Sequence, residues 1–192
     1  MAFSEFFKKL MFAREINFGE DMELFGIRWY ILPLKYLAGL NHELIKNVKG
    51  AKKLIYDEGH FVGELAVGQL VHKYGMTGMK AVENGLEITK FAGFGGSWKI
   101  PELDDKGNSI MHVASNYAKE YRERYGKQRG CIDYHWAGVL AGGYKTIYNI
   151  DVICYETMCV AKGDPYCEFI IRSKKNKDAK KKWLKWIKQK NS

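Results

Sequence analysis

No stretch of eighteen apolar residues occurs in the chain, so the sequence predicts no membrane-spanning helix. The opening MAFSEFFKKLMFAREINFGED also lacks the plan of a signal peptide. Glu5 precedes any apolar stretch, and Lys8 and Lys9 interrupt what would be its hydrophobic centre. The expected location is therefore the cytoplasm, where thiols stay reduced. The four cysteines are then read as buried fillers, metal ligands or reactive groups rather than disulfides. Internal repeats are absent, as is the regular strand–helix alternation that builds a parallel sheet. No nicotinamide or flavin fingerprint and no nucleophile–base pair stands out, and a hydrolase finds no support.

Net charge is scarce everywhere except near the C-terminus. The formal charge is +9, but Lys174 to Lys190 hold nine lysines and one aspartate, which is +8 and leaves +1 for the rest. A basic tail on a nearly neutral body is a different object from a basic binding face, which weakens a nucleic-acid reading. The tail KKNKDAKKKWLKWIKQK reads as an amphipathic helix with Trp183, Leu184, Trp186 and Ile187 on its apolar side. It could meet nucleic acid or an anionic membrane surface. The favoured reading docks the tryptophans on the body, or on a second subunit, and leaves the lysines in water. The expected organisation is a domain over residues 1–173 and a basic helical tail over 174–192.

What the body does contain is ordinary globular material, 46% hydrophobic and 14% aromatic in 192 residues. Ser4 can cap a first helix carrying Phe6, Phe7, Leu10 and Met11. INFGEDMELFGIRWYILP is rich in strand formers and predicts one or two strands. A helix with Leu37, Leu40, Leu44 and Val48 on one face follows, stopped by Gly50. A longer one, about residues 51 to 74, carries Gly59 and Gly63 four apart, a spacing that lets another backbone approach. Residues 77 to 92 predict a further helix. Two apolar runs around Asp104–Gly107 predict a hairpin, and YAKEYRERYG a short helix. CIDYHWAGVLAGGYKTIYN predicts a close-packing helix with Gly138 and Gly142, and a second hairpin turns at Gly163-Asp164-Pro165. Helices, strands, helices and strands in that order predict an α+β domain with an antiparallel sheet.

Two tempting motifs read better as structure. FAGFGGSW, Phe91 to Trp98, has its helix before the glycines and its strand after, the reverse of a dinucleotide loop, so it is a helix end and a link. His112 and His135 have no spaced partner that would make either a base.

YETMCVAKGDPYC is different. On the predicted hairpin Cys159 and Cys167 flank the turn and face each other. Glu156 lies further back, where a small bulge could bring it to the face of Cys159. Tetrahedral zinc needs a fourth donor, for which Cys131 and Cys154 compete; buried thiols without metal are the alternative.

The segment Cys131 to Cys167 resembles the C-terminal half of the 4-vinyl-reductase domain family. The resemblance rests on a cysteine, a helix with small residues (AGVLAGG), a strand reading Glu-x-x-Cys (Glu156 to Cys159), a Gly-polar turn (Gly163, Asp164) and a last cysteine (Cys167). It extends more loosely from Phe18 to Ile171. Members include a protein of bacteriochlorophyll synthesis and sensor domains of aromatic-responsive transcriptional activators, and their fold is similar to that of TRAPP trafficking subunits. The resemblance implies a structural zinc on Cys131, Glu156, Cys159 and Cys167, with Lys162 or nearby N–H groups offsetting its negative charge. It also implies an apolar pocket for a small ligand, and a homodimer. Trp29, Phe61, Trp98, Tyr117 and Trp136 are suitable wall material for that pocket. A stand-alone sensor or carrier is the leading expectation, ahead of a reductase or accessory factor for a tetrapyrrole vinyl group and of a protein-assembly module.

Overall fold

The computed structural model describes residues 8–9, 16–18, 22–24, 26–29 and 32–189. The first predicted helix lies outside them apart from residues 8–9, which are helical. The chain forms two compact units, residues 1–33 and 34–192. The first holds an antiparallel sheet of three short strands, β1 (Ile16–Phe18), β2 (Met22–Leu24) and β3 (Ile27–Trp29), in that order. One or two strands were expected there. Leu24 pairs directly with Ile27, and Gly26 at φ 74° lets the chain reverse that tightly, splitting the run.

In the second unit, helices α1 (Leu34–Asn47), α2 (Ala51–Tyr74) and α3 (Gly78–Phe91) precede the hairpin β4 (Gly95–Leu103) and β5 (Ser109–Ser115). Then come α4 (Asn116–Tyr125), α5 (Tyr134–Tyr148), the hairpin β6 (Val152–Met158) and β7 (Cys167–Ser173), and α6 (Lys177–Ile187). The four strands form one antiparallel sheet in the order β4-β5-β7-β6. Its helices pack on it through a core that runs from Val113, Phe169 and Ile171 on the strands to Trp136, Leu140 and Tyr144 on α5. This is the α+β architecture expected from the element order.

Helix α1 turns a different face inward from the one its leucines predict. Leu37 and Leu44 pack on the core, but Leu40 and Val48 are 44% and 45% exposed while Ala38 and Asn41 are buried. Asn41 can be buried because its amide donates to the Tyr117 hydroxyl at 3.0 Å, which satisfies both groups across two helices.

The glycines of α2 and α5 interlock. A Cβ built on Gly59 or Gly63 would fall closer than 3.0 Å to the carbonyl oxygens of His135 or Val139. One on Gly138 or Gly142 would do the same to those of Tyr56 or His60. Each helix thus seats its backbone in the gap left by the other's missing side chains, as the paired four-residue spacings predicted. Helix α6 lies on the body: the Trp183 ring meets Tyr56 at 5.5 Å between centroids and the Trp186 ring meets Tyr134 at 4.6 Å. Burial of side chains this size stabilises by roughly 2–3 kcal/mol each, enough to hold a helix crowded with lysines.

Candidate metal centre

The second hairpin carries the site. Along β6 and β7, Glu156 pairs with Phe169 and Met158 with Glu168, so Thr157 is an extra residue between them. This bulge resets the alternation of side chains, and Cys159 then shares the inward face of Glu156. A turn of 3-10 helix (Val160–Lys162) and Gly163 at φ 101° bring the chain back to Cys167 at the start of β7. The bulge and the tight turn together gather Glu156, Cys159 and Cys167. One carboxylate oxygen and the two Sγ atoms lie within 4.8 Å of one another, and all three residues are buried.

Cys131 approaches from the loop before α5 and is buried near Cys159, but it lies outside that group of three. Cys154 does not join them. It sits on β6 two residues before Glu156, fully buried, with its backbone N–H donated to the Tyr56 hydroxyl at 3.1 Å.

A hydrogen-bond relay fixes the carboxylate. Ser115 caps α4 by accepting from the Ala118 N–H at 3.1 Å and donates its own hydroxyl to Asp133 Oδ2 at 2.9 Å. Asp133 caps α5 through the Trp136 N–H, and its backbone N–H donates to Glu156 Oε2 at 3.0 Å. The other oxygen, Glu156 Oε1, is buried with no hydrogen-bond partner. Asp133 is the residue that sequence reasoning missed. Its signal was present, an aspartate one residue before a helix, but the helix was expected to begin at Cys131.

Charge at the site is shared unevenly. Hydrogen bonds from Cys131 and then Cys167 hold the Cys159 thiol well below its ordinary value. Those two thiols are themselves pushed up, first by donating to Cys159 and then by burial. Burial, reinforced by the neighbouring Cys159 charge, raises the Glu156 carboxyl. Four acidic groups crowded out of water cannot all ionise unaided. A divalent cation among them reverses that balance, since it favours the deprotonated form of every ligand. The unpartnered Oε1 and the convergence of soft sulfur with one hard oxygen both fit a bound metal.

The surroundings could offset the resulting negative charge. The Val160 N–H donates to Cys167 Sγ at 3.4 Å. Asp164 Oδ2 accepts from the Cys159 N–H at 2.7 Å and from Lys162 Nζ at 3.1 Å, which places the Lys162 ammonium beside the cluster. Glu156, Cys159, Cys167 and the nearby Cys131 are all buried, which suits a structural rather than a catalytic metal.

The aromatic wall residues of the second unit do not gather in one place, and Trp29 belongs to the first. Trp29 is on β3, its indole N–H donated to the Leu24 carbonyl at 3.4 Å. Phe61 is 63% exposed on α2, at the rim of a groove of about 420 Å3 floored by Tyr56, Val152 and Trp183. Trp98 is half-buried on β4 at the edge of the core. Tyr117 and Trp136 are core residues, and Trp136 packs between Phe94 and Phe169 at centroid distances of 6.2 and 6.4 Å. Its indole N–H is buried with no acceptor. The histidines are held as structural groups: His112 by Glu168 at 3.0 Å, His135 by Glu58 at 2.6 Å.

Comparisons with known proteins bear on the family and the fold. Residues 123–173, from the end of α4 through β7, match the family model of the 4-vinyl-reductase domain, which is the resemblance read from the cysteine motif. Over 97% of the chain the fold is similar to that of the phenol-responsive sensory domain of the transcription activator PoxR, solved with phenol. The TM-score is 0.80 at 16% identity, covering 99% of that domain. A vinyl-4-reductase family protein from Methanocaldococcus jannaschii is similar over 76% of the chain and 83% of its own, with TM-score 0.53 and 19% identity. A trafficking protein particle complex subunit 3 from Naegleria fowleri, covalently bound to palmitic acid, is similar over 74% of the chain and 95% of its own, with TM-score 0.51 and 15% identity. A comparison with curated proteins returns no match. Among the described residues no helix is long and apolar enough to cross a membrane.

Proposed function

We propose that the chain is a small-molecule-binding domain, stabilised by structural zinc, that works in the cytoplasm as a homodimeric sensor or carrier. The observation that carries this reading is the similarity of fold, over nearly the whole chain, to a sensory domain solved with phenol. Trp136 supports it: a buried indole N–H without an acceptor, among aromatic rings, is a ready donor to the oxygen of a small aromatic ligand. Tyr117, buried in the same core, is proposed as a further wall residue.

Zinc is proposed on Cys131, Glu156, Cys159 and Cys167. Zinc–sulfur bonds of about 2.3 Å put tetrahedral ligand atoms roughly 3.8 Å apart. The grouping of three of the four donors within 4.8 Å needs only a small contraction to reach that. Bound there, zinc supplies cross-linking rather than catalysis. The chain's own part is to orient Glu156 from Asp133 and to donate the Val160 N–H to the Cys167 sulfur.

Native mass spectrometry of the purified protein, followed by solvent extraction, tests the proposal. The expected species is a dimer with one zinc per chain that releases a small apolar molecule. A metal-free monomer with no extractable ligand would overturn it. A bound tetrapyrrole whose vinyl group is reduced on adding a reductant would move the assignment to the reductase reading.

A further inference from the structure

We infer that the outer face of α6 is a binding surface for the phosphate backbone of nucleic acid. This conclusion is independent of the zinc and of the small-molecule ligand. Its starting point is how the helix is docked. Trp183, Trp186, Ile187 and Ala179 are buried against the body, and every lysine from Lys174 to Lys188 is exposed. At 100° per residue, Lys177, Lys181, Lys185 and Lys188 fall in one row along the outward face, with Lys180 and Lys182 on its flanks. Lys174 and Lys175 extend the patch beyond the N-terminus of the helix. At the other end Gln189 lies against Gly130, next to Arg129 and close in sequence to Lys127.

Among the described residues none of these eight lysines has an ion-pair partner, and Asp178 is the one acid on the helix. Lysines at i and i+4 repel by about 0.2–0.5 kcal/mol a pair. The patch is therefore held together by the tryptophans on the opposite face, and a polyanion would relieve the repulsion. The row spans about 16 Å, a length over which duplex DNA presents roughly ten phosphate charges.

The same docking disfavours a membrane as the partner. An amphipathic helix binds a bilayer by sinking its apolar residues into it. Here those residues are occupied by the body, and Leu184, 36% exposed, is the one large apolar side chain left on the outside. What remains is charge alone, without base-reading chemistry, so binding should be insensitive to sequence.

Fluorescence anisotropy of a labelled duplex DNA of mixed sequence, titrated with the full chain, tests this. The expected log–log dependence of affinity on salt between about 50 and 200 mM has a slope near −4, from four phosphates neutralised. Reversing two charges of the row, Lys181→Glu with Lys185→Glu, should weaken binding at least about tenfold and flatten the slope by about 2. Both sites are exposed, so the melting temperature of the variant should match the parent's. No binding at about 50 mM salt, or a variant that binds like the parent, would overturn the inference. So would a protein that sediments with phosphatidylserine vesicles and ignores the duplex.

Discussion

The backbone N–H of Asp133 donates to Glu156 Oε2 at 3.0 Å, so the residue that caps a helix also aims a proposed metal ligand. The Asp133 carboxylate in turn holds Ser115, the cap of the preceding helix, and accepts from the first turn of its own. Two helix starts and the bulged strand β6 are thereby fixed to one another through buried polar bonds. The centre is a junction of α4, α5 and the second hairpin, which is where a cross-link stabilises most. Structural zinc binding is worth roughly 10–16 kcal/mol in small domains, comparable with the whole net stability of a fold.

That geometry separates the two cysteines that compete as the fourth ligand. Cys131 is buried near Cys159, whereas Cys154 is engaged with Tyr56 through its backbone and packs in the core. Replacing Cys131 with Ser should lower zinc affinity by more than about a hundredfold, beyond the tenfold to hundredfold typical of outer-shell changes. Replacing Cys154 with Ser should leave one zinc per chain and lower stability modestly. Metal content by plasma mass spectrometry and release to a coloured chelator read both. Zinc lost from the Cys154 variant and kept in the Cys131 variant would reverse the assignment.

Stripping the metal with a chelator should lower the melting temperature by at least about 10 °C. The reasoning is that 1 kcal/mol shifts a domain of this size by roughly 2–4 °C, and loss of even a third of the zinc binding energy exceeds that several times. Differential scanning calorimetry before and after chelation, with re-addition of zinc, measures it. An unchanged melting temperature in demonstrably metal-free protein would remove zinc from the account of stability.

The α2–α5 interlock gives a sharper test of packing. Gly59→Ala or Gly138→Ala drives a methyl group into a carbonyl of the facing helix, and neither rigid backbone can yield locally. Destabilisation of about 3 kcal/mol or more is expected. Gly68→Ala, on the same helix α2, meets only the His72 ring at 3.7 Å and should stabilise by about 0.5–1 kcal/mol. Urea unfolding of the three variants should show opposite signs, and a shared sign would mean the helices do not meet as described.

How much of this was legible follows from where the information lies. The glycine pairs, the two hairpins and the docked tryptophans are written in local spacing, and each is found as read. So is the bulge, because Glu156 and Cys159 can share a face only if the alternation slips once. The inward face of α1 was not legible. Asn41 is buried only because the Tyr117 hydroxyl, 76 residues away, accepts from it, and no periodicity encodes a partner that distant. Asp133 was hidden for a related reason: its role depends on Ser115 and Glu156, two strand residues that meet it only after the sheet forms. The aromatic residues are numerous enough to be core anywhere, so composition could not separate wall from filling.

Acid should destabilise the protein partly through His60. The ring is half-buried on α2, and burial lowers its pKa more than the neighbouring Glu64 and Asp57 carboxylates raise it, with Lys145 adding to the lowering. A histidine whose folded value lies below its unfolded value near 6.5 binds more protons when unfolded. Its stabilising contribution is therefore complete above about pH 6.5 and is lost as pH falls from there through the lowered folded value. His60→Gln, which keeps polarity without titrating, should flatten the decline of melting temperature between neutral pH and about pH 5. Paired melting curves across that range decide it. An acid limb as steep in the variant as in the parent would place the sensitivity on other groups.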